Sequence, residues 1–312
     1  MTKAHRKIRK RTERSKSTHS FSKKSKEGLV VGLFPEQFKV SDPRLNKPVC
    51  HQQIKGSEIT GSMLLQDLDT AIIDRNKEIT YFCPNNIAIL LSVNSKSLGQ
   101  AKILYSDFFQ KPTNTFKLEK IEGKKKDFLN VISSKVCDYI ELIKTAVVFG
   151  YTALETFANL SIPDGYTYET QHSHKGIKEI YDKEAIERWL SLKIKFQYIL
   201  KEIYETKKPE RQKWWSDFSN LEKYRNDIIH QKTINSTSFY KAYFKKSIFS
   251  ICECPVSIIR FFYEAHAKNN RTNPIWPWLV NEKNFFPINT HYDSSRFEVI
   301  GNIHEGIRKL KK

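Results

Sequence analysis

The chain has no run approaching the roughly eighteen apolar residues that a membrane-spanning helix needs. A mean hydropathy of -0.55 agrees with that, and an integral membrane role is set aside. Disulfide chemistry is also poorly provided for. The cysteines are Cys50, Cys83, Cys137, Cys252 and Cys254, an odd number with no repeated spacing, which suits a reducing compartment. Cys50-His51 with Cys83, and Cys252-x-Cys254, are the groupings a metal could use, yet neither is the paired Cys-x-x-Cys arrangement of a zinc site. His172 and His174, one residue apart in a polar loop, add little, so neither metal nor cofactor is expected. Met1 to Arg14 lacks the apolar stretch of a secretory signal and is a poor transit peptide, so a cytoplasmic location is expected. Acids are scarce: 34 Asp and Glu face 53 Lys and Arg, for a formal net charge of +19.

That charge is the first positive signal. A polyanionic partner follows from it, nucleic acid ahead of a membrane surface, with simple solubility as the plainer reading. The 312 residues, with 39% hydrophobic, 20 Phe and 14 Tyr, are enough for one large or two modest globular domains. Residues 1–27 hold eleven Lys/Arg against two acids and almost nothing apolar, so a disordered basic tail is expected, suited to contacting phosphates or simply solvated.

Residues 28–122 have a different texture, punctuated by Pro35, Pro43, Pro48, Pro84 and Pro112. Leu29–Phe34, Ile79–Cys83 and Ile87–Val93 are short apolar runs that predict strands, and Ser62–Ile73 predicts a helix. The expectation is a small α/β accessory domain without a Gly-rich phosphate loop. Gly123-Lys124-Lys125-Lys126 reads as a linker. From Asp127 the pattern is helical: Phe128, Val131, Ile132, Val136, Tyr139, Ile140, Ile143 and Val147 recur at three and four, up to a stop at Pro163-Asp164-Gly165. A polar loop over 164–180 follows, then helices over about 182–204, from Pro209 through Trp214, Trp215 and Phe218, and over about 239–267. Asn273–Leu279 predicts an extended aromatic clasp, and 286–312 an irregular basic end. The fold class expected is mainly α: an antiparallel helical bundle over 123–285.

The chemistry concentrates in Leu221-Glu222-Lys223-Tyr224-Arg225-Asn226-Asp227-Ile228-Ile229-His230. Leu221, Tyr224 and Ile228 form an apolar stripe, and Arg225, Asn226 and His230 lie off it. Asn226 and His230 are one turn apart on one face. Arg225 is five residues before His230, about 140° round the helix, so only its long arm reaches the imidazole or a substrate spanning both. An arginine fork binds phosphate oxygens bidentately, and histidine is the side chain that titrates nearest neutral pH. Together they suit phosphate chemistry, although such a pair on a solvated face is often mere surface. Lys223 and Lys232 flank the motif as cations for an RNA backbone, and Tyr166 and Tyr168 are rings on which bases could stack.

Arg225-Asn226 and His230, with four residues between, resemble the mark of the HEPN family, in which Arg and a polar residue precede a His by four to six positions. Tyr151–Asn159 resembles an early helix of defence-type members, Leu190–Leu200 the next helix, and Trp215–Phe218 the approach to the motif. The resemblance covers roughly residues 125–285 and not the first third. It implies a helical bundle that dimerises through this domain, and endoribonuclease activity needing no metal, with His230 as acid/base, Arg225 clamping phosphate and Asn226 orienting His230 or holding ribose. It also makes Glu155 a secondary catalytic candidate, although a solvent-facing or interface glutamate is the commoner reading. The biological role implied is a toxin or anti-phage abortive-infection effector cutting tRNA or other RNA, with a regulatory partner or antitoxin possible. The other implication is a non-catalytic module that binds RNA or a protein. A variant whose partner modifies a tyrosine two residues past the histidine fits poorly, because Lys232 stands there.

Overall fold

A computed structural model describes residues 28–32, 42–45, 49–75, 77–111, 117, 119, 123–171, 178–230, 238–268 and 288–289. These are mainly helical, with a small sheet region at the front of the chain. The expectations for the tail 1–27, His172, His174, Lys232, the clasp at Asn273–Leu279 and the end of the chain lie outside the described residues.

The sheet is built on one long strand. β1 (Gly28–Gly32), β2 (Val49–Lys55), β3 (Glu58–Asp74) and β4 (Lys77–Phe82) are antiparallel, with β1 and β2 flanking the first half of β3 and β4 pairing its second half. The helix expected over Ser62–Ile73 is therefore a correction: those residues lie inside β3. Met63, Leu64, Leu65 and Gln66 are buried one after another, which a strand covered on both faces permits and a one-sided helix does not. Thr70, Ile72 and Ile73 are β-branched and resist a helix further along. The hairpin into β3 turns on Gly56 at φ +68°, a conformation that glycine adopts without strain.

The second correction runs the other way. Ile87–Val93, expected as a strand, opens α1 (Asn86–Leu104). Asn85 caps it, its side-chain oxygen accepting from the Ala88 N–H at 3.0 Å. Ile87, Leu91, Leu98 and Ala101 then follow at helical spacing and are buried. A π-helical turn, Tyr105–Phe109, closes this helix. Although α1 lies within the 28–122 stretch, its buried face belongs to the same core as the later helices.

The long helix expected from Asp127 is α2 (Lys125–Ser161), which ends at Ile162 before Gly165 at φ +83°. The polar loop expected next contains a hairpin, β5 (Thr167–Gln171) with β6 (Lys178–Asp182). Asp182 caps α3 (Lys183–Trp189), accepting from the Ala185 N–H at 2.8 Å. The single helix expected over 182–204 is interrupted: Leu190 is extended and Ser191 starts a new helix. That second rod runs without a break through α4 (Leu192–Ile194), a π-helical segment Lys195–Leu200, and α5 (Lys201–Ile203).

Beyond the 3-10 turn Pro209–Arg211 come α6 (Trp215–Ile229), a 3-10 segment Ser238–Phe244, and α7 (Ser247–Lys268). The helix expected from Phe239 starts later, at Ser247, for a visible reason. Tyr139 Oη donates to the Tyr243 carbonyl at 2.8 Å and Tyr105 Oη to the Phe244 carbonyl at 3.0 Å, taking acceptors that a continuing α-helix would use. Behind α6 sits the main core, with Phe157, Phe196, Phe218, Leu221 and Phe262 fully buried. Each such ring stabilises the fold by about 1.5–3 kcal/mol relative to exposure. α1, α2 and α7 meet at Asn94, whose amide nitrogen donates to Ala146 O at 2.7 Å and Cys252 O at 3.1 Å. Pro255, inside α7, brings no N–H to the helix ladder there. Gly150 allows this approach, since a Cβ on it would lie 2.8 Å from Asn94 Nδ2 and 3.1 Å from Pro255 Cγ.

Candidate functional site

α6 buries Phe218 and Leu221 and half-buries Tyr224 and Ile228, which turns Arg225 towards α2 and leaves Asn226 and His230 exposed. On α2, Tyr151, Glu155 and Asn159 stand at successive turns of one face, and α6 crosses that face. The Arg225 guanidinium lies over the Tyr151 ring, 5.1 Å from its centroid. Its Nη1 donates to Asn226 Oδ1 at 3.1 Å, and its Nη2 stands 3.9 Å from Glu155 Oε1. Tyr151 Oη donates to Glu222 Oε1 at 3.2 Å, tying the ring under the guanidinium back to α6. Three groups thus hold the arginine: a ring beneath it, an amide beside it and a carboxylate near one end.

Burial sets the electrostatics. It pushes the Glu155 carboxyl up from the ordinary glutamate range, opposed by the positive charges of Arg225 and Lys195 and reinforced by Glu222. The Tyr151 phenol is also pushed up, mainly by burial and then by the Glu222 and Glu155 carboxylates. Lys195 is only 4% exposed, and burial lowers its affinity for its proton while Glu155 and Glu187 act against that. Its ammonium donates to Asn159 Oδ1 at 2.8 Å and to the Glu187 carbonyl at 3.1 Å.

The structure brings Arg225, Asn226 and Glu155 together. His230 sits one turn beyond Asn226 as the C-cap of α6, its backbone N–H donating to Asn226 O at 2.9 Å. Its backbone has already left the helix, at φ −114° and ψ 43°, and no described residue hydrogen-bonds its imidazole. Lys223 is exposed on α6. Tyr166 and Tyr168 are half-buried against the helical core: Tyr166 Oη donates to Glu202 Oε2 at 3.1 Å, and the Tyr168 ring lies 6.3 Å from that of Tyr198. No described contact joins either tyrosine to Arg225.

Sequence reasoning passed over Lys195 and Glu222. Lys195 did carry a signal, falling in the apolar stripe of Leu192, Phe196 and Ile199, where a lysine has no ordinary reason to be. Glu222 carried none, being one more polar residue on a polar face. Among the described residues no group of three or more His, Cys, Asp and Glu side chains is placed to hold a metal. Cys252 and Cys254 are buried, and burial pushes the Cys252 thiol up to about 12, away from the thiolate that a metal binds. No helix among the described residues is long and apolar enough to cross a membrane. Comparison of the chain with family models, with curated proteins and with solved structures finds no match.

Proposed function

We propose that the chain is an endoribonuclease of the HEPN type, in which Arg225, Asn226 and His230 act on RNA at the end of α6. The observation that carries the reading is the setting of Arg225: its guanidinium is held by Tyr151, Asn226 and Glu155, and Asn226 stands one turn before the exposed His230. Arginine held in advance loses less freedom on binding an anion, and its fork matches two phosphate oxygens.

RNA supplies its own nucleophile, the ribose 2′-OH beside each phosphodiester. The protein has to remove that proton, support the extra charge on phosphorus and protonate the leaving 5′-oxygen. His230 is the acid/base, Arg225 stabilises the phosphate, and Asn226 holds ribose or orients His230. The 2′-oxygen bonds to phosphorus as the bond to the 5′-oxygen breaks, leaving a 2′,3′-cyclic phosphate and a 5′-hydroxyl, a course that needs no metal. One histidine does not serve both faces of an in-line displacement, so two chains pairing about a twofold axis would supply two. Use of the activity as a toxin or anti-phage effector, against tRNA or another RNA, follows from the family resemblance alone.

A second reading, a module that binds RNA or a protein without cutting, is favoured by one feature. Arg225 is already engaged by neighbouring side chains and makes no described contact with His230. Purified wild type and His230→Ala, incubated with total cellular RNA in EDTA, separate the two. Fragments ending in cyclic phosphate from wild type, reduced roughly a hundredfold to ten-thousandfold in the variant, are expected for the enzyme. Equal binding without cleavage by either protein would favour the binding module, or an enzyme held off by the region before the helical domain, and cleavage that survives in His230→Ala would remove His230 from the mechanism.

A further inference from the structure

The rod from Leu192 to Ile203 buries Leu192, Phe196, Ile199 and Leu200, and Lys195 shares their face. An ammonium taken out of water costs several kcal/mol unless charge and hydrogen bonds replace the solvent. Here the hydrogen bonds come from neutral groups, Asn159 Oδ1 and the Glu187 carbonyl. No carboxylate among the described residues is within ion-pairing distance, and the negative charges that act on the ammonium are Glu155 and Glu187. Lys195 also opens the π-helical segment, a geometry that proteins use sparingly and often near functional sites.

The bonded pair explains where that charge has been put. Asn159 is one turn from Glu155 on α2, so the bond to Asn159 fixes the ammonium beside the helix face that carries the carboxylate nearest Arg225. We infer that Lys195 is a positioning residue for the α6 site: anchored on Asn159 and the Glu187 carbonyl, it holds Glu155 as the carboxylate against which Arg225 is set. The inference rests on the reading of Arg225 as the phosphate-binding group, and it names what keeps that group in place.

The groups facing Glu155 are Arg225 and Glu222 from α6, Tyr151 from its own helix, and Lys195 from the π-helical segment. Two cations therefore stand against one anion and the cost of burial. Without Lys195 the balance tips towards a protonated Glu155, and a neutral carboxyl no longer attracts the guanidinium. Arg225 is then left with the Tyr151 ring and Asn226, and the arrangement offered to a phosphate loosens. A purely structural lysine, tying the α3 end to α2, would lower stability when replaced and leave the titration of Glu155 where it was.

The full-length protein with 13C-labelled glutamate carboxyls, followed by NMR across pH, tests this, with the Glu155 signal assigned by its loss in Glu155→Gln. In Lys195→Met the Glu155 midpoint is expected at higher pH than in wild type; an unchanged midpoint overturns the inference. Should Lys195→Met fail to fold, Glu155→Gln with labelled lysine side chains asks the same question from the other partner. Lys195 is then expected to lose its proton at lower pH than in wild type, and an unchanged titration again overturns it. RNA cleavage by Lys195→Met at neutral pH is expected to fall on the order of tenfold, less than the loss from removing a group that touches the phosphate. Cleavage equal to wild type would show that Arg225 needs no such support and would overturn the positioning role. If wild type cuts no RNA, the enzymatic reading fails alone, and the Glu155 and Lys195 titrations still decide whether the two residues are coupled.

Discussion

The sheet and the helical core solve the same problem with different materials. In the sheet, β3 pairs along seventeen residues with three neighbours, yet its own buried cluster is Cys50 and Leu64 with Val31 packed on them. Ile72, Ile73 and Ile79 near the β3–β4 turn remain exposed. Backbone hydrogen bonds carry this region, and each contributes about 1 kcal/mol net. In the helical core the ladders are internal to each helix, so the elements are joined by side chains, including rings buried from α2, α6, α7 and the π-helical segment. Where side chains do the joining, one truncation is felt throughout. Where backbone pairing does it, single side chains matter little, and a polar site such as the one around Arg225 needs the first kind of support.

Replacing Phe157 by Ala should sharpen this contrast most, with a loss of about 3–5 kcal/mol in urea unfolding, because its ring meets those of Tyr204 and Phe262 in the core. Next is Gly150→Ala. Alanine gains up to about 1 kcal/mol in a helix interior, but here its methyl would press on Asn94 and Pro255, so a net loss of about 1–2 kcal/mol is expected. A gain in stability would show that the three-helix junction yields. A smaller effect concerns Glu155, whose carboxyl is pushed up chiefly by burial. A folded value above the unfolded one means that the stabilisation is present below the usual carboxylate range and lost as pH rises through the folded value. Glu155→Gln should therefore flatten the fall in Tm as pH rises above the ordinary glutamate range, and an unchanged slope would place the pH dependence elsewhere. Smallest of all is Ile72→Thr, expected to change stability by no more than about 0.5 kcal/mol because the side chain is 78% exposed. A loss like that of Phe157 would break the contrast by revealing a partner over that face.

The helical part was the more legible in sequence because its periodicity runs long. α2 repeats its apolar positions over many turns and stops at a Pro-Asp-Gly, and α6 announces itself by Leu221, Tyr224 and Ile228. The two reversals, at Ser62–Ile73 and Ile87–Val93, are short apolar runs that fit either period, and neighbours decided them. Local cues were nevertheless present: Gly56-Ser57 is a hairpin turn leading into β3, and Asn85 is a capping residue leading into α1. At the site, the pairing of Arg225 with its neighbour Asn226 was legible from their adjacency, while the approach of Glu155 to Arg225 spans 70 positions and has no local signal. Their support was not legible either, because Lys195 meets Asn159 from 36 residues away and no local rule encodes that meeting.

Asn94 links carbonyls 52 and 158 positions further along the chain. During synthesis from the N-terminus, its first acceptor, on α2, emerges soon after α1, while the second waits until α7 has been made. A chain still on the ribosome can thus carry Arg225 and His230 complete in sequence before Ile258, Ile259 and Phe262 have arrived to close the core. The order of synthesis therefore delays closure of the core behind the α6 site until α7 has been made.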